Sequence, residues 1–340
     1  MERIYLVRNG GSKTAFEFKT EPDPVPGPGQ VRIKVEASGL NFADVLARLG
    51  LYPDAPKLPC VIGYEVVGRI DQAGPGVDAK IGERVLSMTA FGGYASHVVV
   101  PADNVIPIPA NLDAATATAL GTQFTTAWYC AEEMVRLHKG DHVLIQAAAG
   151  GVGTALVQMA KRRGCIIYGT SSNPEKLKLL KELGVQHPIN YREKDFETEI
   201  RRLRNGKGVD YVFDSLGGTA FKKGMRLLQP GGRMVFIGAA EMAGPTKSIF
   251  KMLKTALGFG LIPPIRLVST STGVIGVNLY HVSQSRPDVL RECFRNCIEL
   301  VFKGELRPIL GKAFPARDIA DAHDFLGSGK STGKVALVWN

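Results

Sequence analysis

Apolar and polar residues follow two different rhythms along this chain. Over the first third, short runs alternate in steps of two. "RIYLVRN" and "QVRIKVEASGL" put every second residue on one face, as half-buried strands do. "VIGYEVVGRIDQAG", "GERVLSM" and "GGYASHVVVPADNVIPIP" read as further strands, and "EPDPVPGPGQ" is a turn region that its prolines and glycines bar from helix. Many short strands with such turns predict a compact β-rich domain to about Gly121.

The rhythm then changes. "DHVLIQAAAG" is strand-like and "TALVQMAKRRG" helix-like, and the pair is followed by "CIIYGTSS" with "NPEKLKLLKELG", "HPINYR" with "DFETEIRRLRNGKG", and "VDYVFDSLGG" with "TAFKKGMRLLQPGG" before "RMVFIGAA". Strands alternating with helices imply right-handed βαβ crossovers and a parallel sheet. "TGVIGVNLYHV" reads as one more strand, "DVLRECFRNCIELVFKGEL" as a helix, and "GKVALVWN" as a closing strand suited to rejoin the first domain. The fold class is α/β: a doubly wound parallel sheet with a β-rich domain. The expected limits are 1–122, 123–289 and 290–340, the last returning to the first domain.

The first βα turn of that second region carries the chemistry. Ala148-Ala149-Gly150-Gly151-Val152-Gly153 has the G-x-G-x-x-G form with Ala148 in first place. A small first residue permits the tight turn. Gly150 admits a pyrophosphate to the backbone, and Gly153 lets the helix pack closely on the sheet. The N–H groups at the helix start, among them those of Gly151 and Val152, then face the anion. A glycine turn needed only for packing is the competing reading. Sites that prefer NAD usually end the second strand with an acid that binds the adenosine ribose. Here that strand ends Tyr168-Gly169-Thr170-Ser171-Ser172, with Lys176 beyond and no acid. Hydroxyls and a cation suit a 2′-phosphate, which points to NADP(H). Tyr191 and Arg192, after the third strand, can flank the same adenosine. N-capping of the helix before Pro174 is the competing role for Ser171 and Ser172. Ser215 and Leu216, and Phe236 and Ile237, lie at later strand ends, where a nicotinamide would approach; core packing competes for Leu216 and Phe236.

Composition changes this picture little. The chain has 45% hydrophobic and 22% charged residues, and no apolar run of membrane-spanning length. The N-terminus "MERIYLVRNGG" has no apolar signal core, so a cytoplasmic location is expected. The formal charge of +10 is spread along the chain without a nucleic-acid motif, so no nucleic-acid partner is expected. Five scattered cysteines argue for reduced thiols, and no metal-ligand set forms: His97, Glu65 and Asp44 lack a thiolate or second histidine to join them.

"GLNFADVLARLGLYP", "GYEVVGRI", "GERV", "GGYASHVVVP" and "AAAGGVG", in this order along nearly the whole chain, resemble the quinone oxidoreductase branch of the medium-chain dehydrogenase/reductase superfamily. "QHPINY", "LLQPGGRMVFIGAAEMAGP" and "VIGVNLYHV" look most like its vesicle amine transport protein group. The resemblance implies a GroES-like catalytic domain beside a Rossmann domain, with substrate in the cleft between them. It implies that Asn41 lies beside nicotinamide and substrate, that Tyr52 lines the cleft, and that Thr126 and Lys334 face the cofactor. Asn41 can equally open the "FADVLARLG" helix through an Asx turn, Tyr52 can be a loop anchor, and Lys334 an exposed lysine ahead of a strand. Some quinone reductases carry a second tyrosine where Leu46 stands, which loosens any inherited quinone specificity. "GYE" replaces the Gly-His-Glu of the zinc-dependent relatives. The implied activity is therefore a zinc-independent, NADPH-dependent reduction of quinones or α,β-unsaturated carbonyls by a homodimer paired through "TGVIGVNL". The alternative is an NADPH-holding protein that binds lipid or a partner with little turnover. For it, the basic, apolar segment 244–268 would supply peripheral lipid contact.

Overall fold

The computed structural model describes residues 1–109, 111–238, 240, 259–260 and 262–339. Most of segment 244–268, through 258 and again at 261, lies outside the described residues. The chain divides into two units, Met1–Thr125 with Pro287–Asn340, and Thr126–Arg286. The sequence placed these divisions at 122/123 and 289/290.

The first unit begins with a two-stranded ribbon, β1 (Glu2–Leu6) and β2 (Phe16–Thr20). Its main sheet is built from β3 (Gln30–Leu40), β4 (Glu65–Ala73), β5 (Arg84–Met88), β6 (His97–Pro101) and β7 (Val105–Pro107), joined by the last two strands of the chain, β14 (Leu310–Pro315) and β15 (Lys334–Val338). The order is β14-β15-β3-β4-β5-β7, with β6 also on β3. Alternation along these strands sends Val31, Ile33, Val35, Ile70, Val85 and Val335 into one apolar core with Ile4, Leu6 and Tyr94. Burial of that face is the main stabilising term, on the order of 1.5–3 kcal/mol per large side chain. Register matters for the site. β15 pairs antiparallel with β3 so that Val335 meets Leu40, and β3 pairs with β4 so that Ser38 meets Val66. Lys334, Asn41 and Glu65 therefore come together at the ends of three adjacent strands.

The second unit is a six-stranded parallel sheet of β8 (His142–Ile145), β9 (Ile166–Ser171), β10 (His187–Asn190), β11 (Val209–Asp214), β12 (Leu228–Phe236) and β13 (Gly273–Gly276), ordered β10-β9-β8-β11-β12-β13. This is the doubly wound Rossmann order, with its switch point beside β8, where such sheets bind ligands. The expected strand "TGVIGVNLYHV" is shorter than its apolar pattern suggests. β13 stops at Gly276, and Asn278 accepts the N–H of Tyr280 at 3.1 Å to start a helix, Leu279–Ser285. A side-chain cap thus overrode a run of β-formers. Among the described residues no helix is long and apolar enough to cross a membrane.

Candidate dinucleotide site and a buried charge cluster

In the second unit, β8 ends at Ile145 and the helix Gly151–Arg162 begins six residues later, with Gly150 as its N-cap in extended conformation. The loop between them is fastened from within. Gly150 N–H donates to the Ala147 carbonyl at 2.9 Å, and Ala148 N–H to that of Thr170 at 3.0 Å. Ala147 sits at φ +48°, a left-handed conformation that is uncommon for alanine and tightens the turn. A Cβ on Gly153 would come within 2.4 Å of the Ala147 carbonyl oxygen and 2.7 Å of Ala148 Cα, so only glycine lets helix and loop approach this closely. The first N–H groups of the helix have no intrahelical acceptor and carry the positive end of its dipole.

The neighbouring end of β9 divides the residues expected there. Thr170 is fully buried, and its hydroxyl accepts from Ala147 N–H at 3.2 Å and donates to Gln146 Oε1 at 3.2 Å, so it shapes the loop. Neither serine is the helix cap. Asn173 caps Pro174–Leu183 and accepts the Lys176 N–H at 2.9 Å. Ser171 Oγ and Gln146 Nε2 are buried without a hydrogen-bond partner among the described residues, and Ser172 is half-buried. An unmet buried hydroxyl costs about 1–3 kcal/mol, which a bound acceptor would recover. Burial lowers the pKa of Lys176, and the nearby charge of Arg192 lowers it further. Two cations drawn together in this way suit a dianion. Tyr191 is 45% exposed beside them. The bare glycine loop, the unmet hydroxyl and the paired cations fit a phosphorylated adenine dinucleotide.

The ends of the next two strands are linked. Asp214 accepts the Leu216 N–H at 2.7 Å and the Gly217 N–H at 3.2 Å, and its carbonyl accepts the Ile237 N–H at 2.8 Å. Ser215, Leu216, Phe236 and Ile237 are all half-buried, and Leu216 and Phe236 pack on the core of this unit. Thr126, where this unit begins, is buried.

The first unit holds a buried charge cluster, only part of which the sequence exposed. Lys334, assigned to the cofactor, is fully buried, as is Glu65. The Lys334 ammonium donates to Asn41 Oδ1 at 3.0 Å and to Glu65 Oε1. Asn41 Nδ2 donates to both Glu65 oxygens, at 2.8 and 3.0 Å. Thr122 adds its hydroxyl and its N–H to Glu65 Oε2. Gly39 makes room, because a Cβ there would lie 1.9 Å from Glu65 Oε1 and 2.6 Å from Lys334 Cε. Asn41 is also the N-cap of Phe42–Arg48, and its N–H donates to the Asp44 carboxylate at 2.8 Å. Its amide is thus oriented from both ends. Tyr52 is half-buried, and its ring meets that of Tyr64 edge-on at 6.3 Å between centroids. Glu65, Thr122 and Tyr64 went unassigned in the sequence. The available signal was a charged residue at an inward position of the apolar strand "EVVGRI".

Residues 27–110 match the alcohol dehydrogenase GroES-like domain family, and residues 151–295 the zinc-binding dehydrogenase family. The synaptic vesicle membrane protein VAT-1 homolog of Rattus norvegicus is 34% identical over 91% of this chain and 76% of its own length. A phenolphthiocerol/phthiocerol polyketide synthase polypeptide of Mycobacterium tuberculosis is 36% identical over 90% of this chain, which spans only 13% of that much longer protein. Among solved structures, the quinone oxidoreductase of Escherichia coli complexed with NADPH superposes with a TM-score of 0.86 at 27% identity, covering 99% of this chain and all of that one. The CurK enoyl reductase does so with 0.86 at 28%, covering 100% and 99%. The second family description names zinc, and the described side chains do not offer it a ligand set. Both Glu65 oxygens are held by Asn41, Thr122 and Lys334, and both Asp44 oxygens accept main-chain N–H groups. No group of three His, Cys, Asp or Glu converges among the described residues. With both domain families matched in order on a GroES-like sheet and a Rossmann sheet, and with a VAT-1 homolog aligned over most of its length, the chain belongs to the VAT-1-like group of the medium-chain dehydrogenase/reductase superfamily.

Proposed function

We propose that the protein is an NADPH-dependent reductase of quinones or α,β-unsaturated carbonyls that works without a metal ion. The observation that carries this reading is the end of β9. An unmet buried Ser171 hydroxyl and the Lys176–Arg192 pair stand where an NAD site would place an acid. NADPH-bound and enoyl-reductase relatives of the same fold support it. Bound NADPH supplies the hydride. Ala148–Gly153 receives its diphosphate on main-chain N–H groups. Ser171, Ser172, Lys176 and Tyr191 take the adenosine 2′-phosphate, with Thr170 bracing the loop behind them. Ser215, Leu216, Phe236 and Ile237, with Thr126, flank the nicotinamide.

In the first unit, Asn41 and Tyr52 face the substrate. Lys334 acts through Asn41, holding its amide carbonyl while Glu65 holds its NH₂. Asn41 is then a fixed wall rather than a free oxyanion donor. Quinones and enones are electrophilic enough to accept hydride when donor and acceptor are positioned, with no Lewis acid needed. Dimerisation would use the outer edge of β13, the last strand of its sheet among the described residues. The rival reading, a binding protein with lipid contact and little turnover, draws on Ile265 and Val268, which are 73% and 75% exposed on the helix Pro264–Thr270. Steady-state NADPH oxidation against a panel of quinones and enals tests the proposal. Turnover well above background supports it, whereas NADPH binding with no turnover on any acceptor gives the ground to the rival.

A further inference from the structure

One buried polar side chain at the cofactor edge of the Rossmann sheet lies outside the set that meets the dinucleotide. Gln146 follows β8 directly, at the switch point of the sheet, and is buried. Its main-chain N–H donates to the Phe213 carbonyl at 2.9 Å, which ties it to β11. Its side-chain Oε1 accepts the Thr170 hydroxyl at 3.2 Å, which ties it to β9. The direction of that bond is fixed, because Thr170 Oγ1 already accepts the Ala147 N–H at 3.2 Å and has one hydrogen left to give. At the other end of the amide, Gln146 Nε2 has no hydrogen-bond partner among the described residues. A methionine would fill the same space without burying an unmet amide, so packing does not account for glutamine here.

This chain of bonds ends on Ala147. That residue holds φ +48°, a conformation its Cβ resists. Its N–H is held by Thr170 and its carbonyl by the Gly150 N–H at 2.9 Å. The next residue is fastened to the same strand end, since Ala148 N–H donates to the Thr170 carbonyl at 3.0 Å. Strain of this kind persists where neighbouring bonds over-determine it. We propose that Gln146 is a positioning residue of the dinucleotide site: through Thr170 it locks Ala147 in its left-handed turn, so that the diphosphate loop stands preformed against the end of β9. This rests on the NADPH reading above. The strut acts on the loop for the diphosphate, which NADPH, NADH and ADP-ribose share, and on neither the 2′-phosphate nor the nicotinamide. A loop already held in its binding shape need not be ordered when the ligand arrives.

Gln146→Met removes the acceptor at one end of the strut, and Thr170→Val removes the hydroxyl at the other while keeping its shape. Each should weaken NADPH, NADH and ADP-ribose by one common factor of about tenfold in calorimetric titration. The double variant should bind no more weakly than the worse single, because the two side chains form one strut. Ala147→Gly added to Gln146→Met should restore affinity to within about threefold of wild type, since glycine takes φ +48° unaided. Hydrogen exchange at the Ala147 and Gly150 amides should quicken in both single variants, a local change that a general loss of stability would instead spread over the whole sheet. If Gln146→Met fails to fold, Thr170→Val carries the test. Affinities within twofold of wild type for all three ligands overturn the strut and leave the NADPH reading intact. A loss confined to NADPH does the same, because Gln146 would then read the 2′-phosphate. Losses that multiply in the double variant also overturn it. A wild type that takes up neither NADPH nor NADH overturns both readings.

Discussion

Replacing Lys334 by methionine isolates what the buried cluster contributes. Lys334 and Glu65 are fully buried, and the ammonium touches both Glu65 Oε1 and Asn41 Oδ1. Methionine nearly keeps the stem volume and removes the charge. Glu65 would then be left as a buried carboxylate holding only the Asn41 amide and the Thr122 donors. Breaking a buried pair from one side typically costs ~3–5 kcal/mol. For a unit of this size, each kcal/mol moves the melting temperature by roughly 2–4 °C. The expected loss is therefore about 6–20 °C, read by scanning fluorimetry and urea unfolding with Trp339 as a probe inside this unit. The partner variant, Glu65→Gln with Lys334→Met, removes both charges and keeps the amide contacts. It should recover most of the loss, giving a coupling of ~2 kcal/mol or more in a double-mutant cycle. A Lys334→Met loss under ~1 kcal/mol, or a double variant as unstable as the two singles combined, would show that the ammonium does not balance Glu65.

Three further outcomes follow from the same structure. His323 is fully buried with both ring nitrogens unpartnered among the described residues, and burial, aided by Arg48, lowers its pKa to about 3. Its neutral form is favoured by folding, so the stability it contributes is complete above the unfolded pKa and drains away as pH falls from about 6.5 toward 3. His323→Phe, which keeps the ring against Phe16, should shrink the stability difference between pH 7.5 and 5 by ~2 kcal/mol, measured by urea titration at both. Gly153→Ala should weaken NADPH binding at least tenfold by fluorescence titration, because the methyl collides with the Ala147 carbonyl. Lys176→Ala should weaken NADPH but hardly alter NADH, and a high-pH loss of NADPH affinity in the wild type should set in below the ordinary lysine range, since the Lys176 pKa is lowered.

The sequence read well where one local rule governs. Alternation marked β3 and β4, and the switch from period two to strand–helix repeats marked the Rossmann sheet. The Gly150–Gly153 spacing placed the loop, because its constraint is steric and local. What stayed hidden depends on register. Lys334 and Asn41 are joined only because β15 docks on β3, a pairing between distant segments that no window of sequence contains. The role of Glu65 was masked because a buried acid looks like a surface acid until its partners are known. Thr170 was grouped with Ser171 as a phosphate ligand because adjacent hydroxyls are indistinguishable on paper. Pleating then turns one into the loop and leaves the other unmet. Asn173 took the capping role that Ser171 and Ser172 had also been candidates for, a distinction of one residue that only backbone geometry settles.

The most direct test of the whole is a paired titration of the purified protein with NADPH and with NADH, followed by cofactor fluorescence. Tight saturable uptake of NADPH, at least tenfold stronger than that of NADH and reduced to parity in a Ser171→Ala, Lys176→Ala double variant, is the expected result. Equal or better binding of NADH, or uptake of neither, would contradict the account.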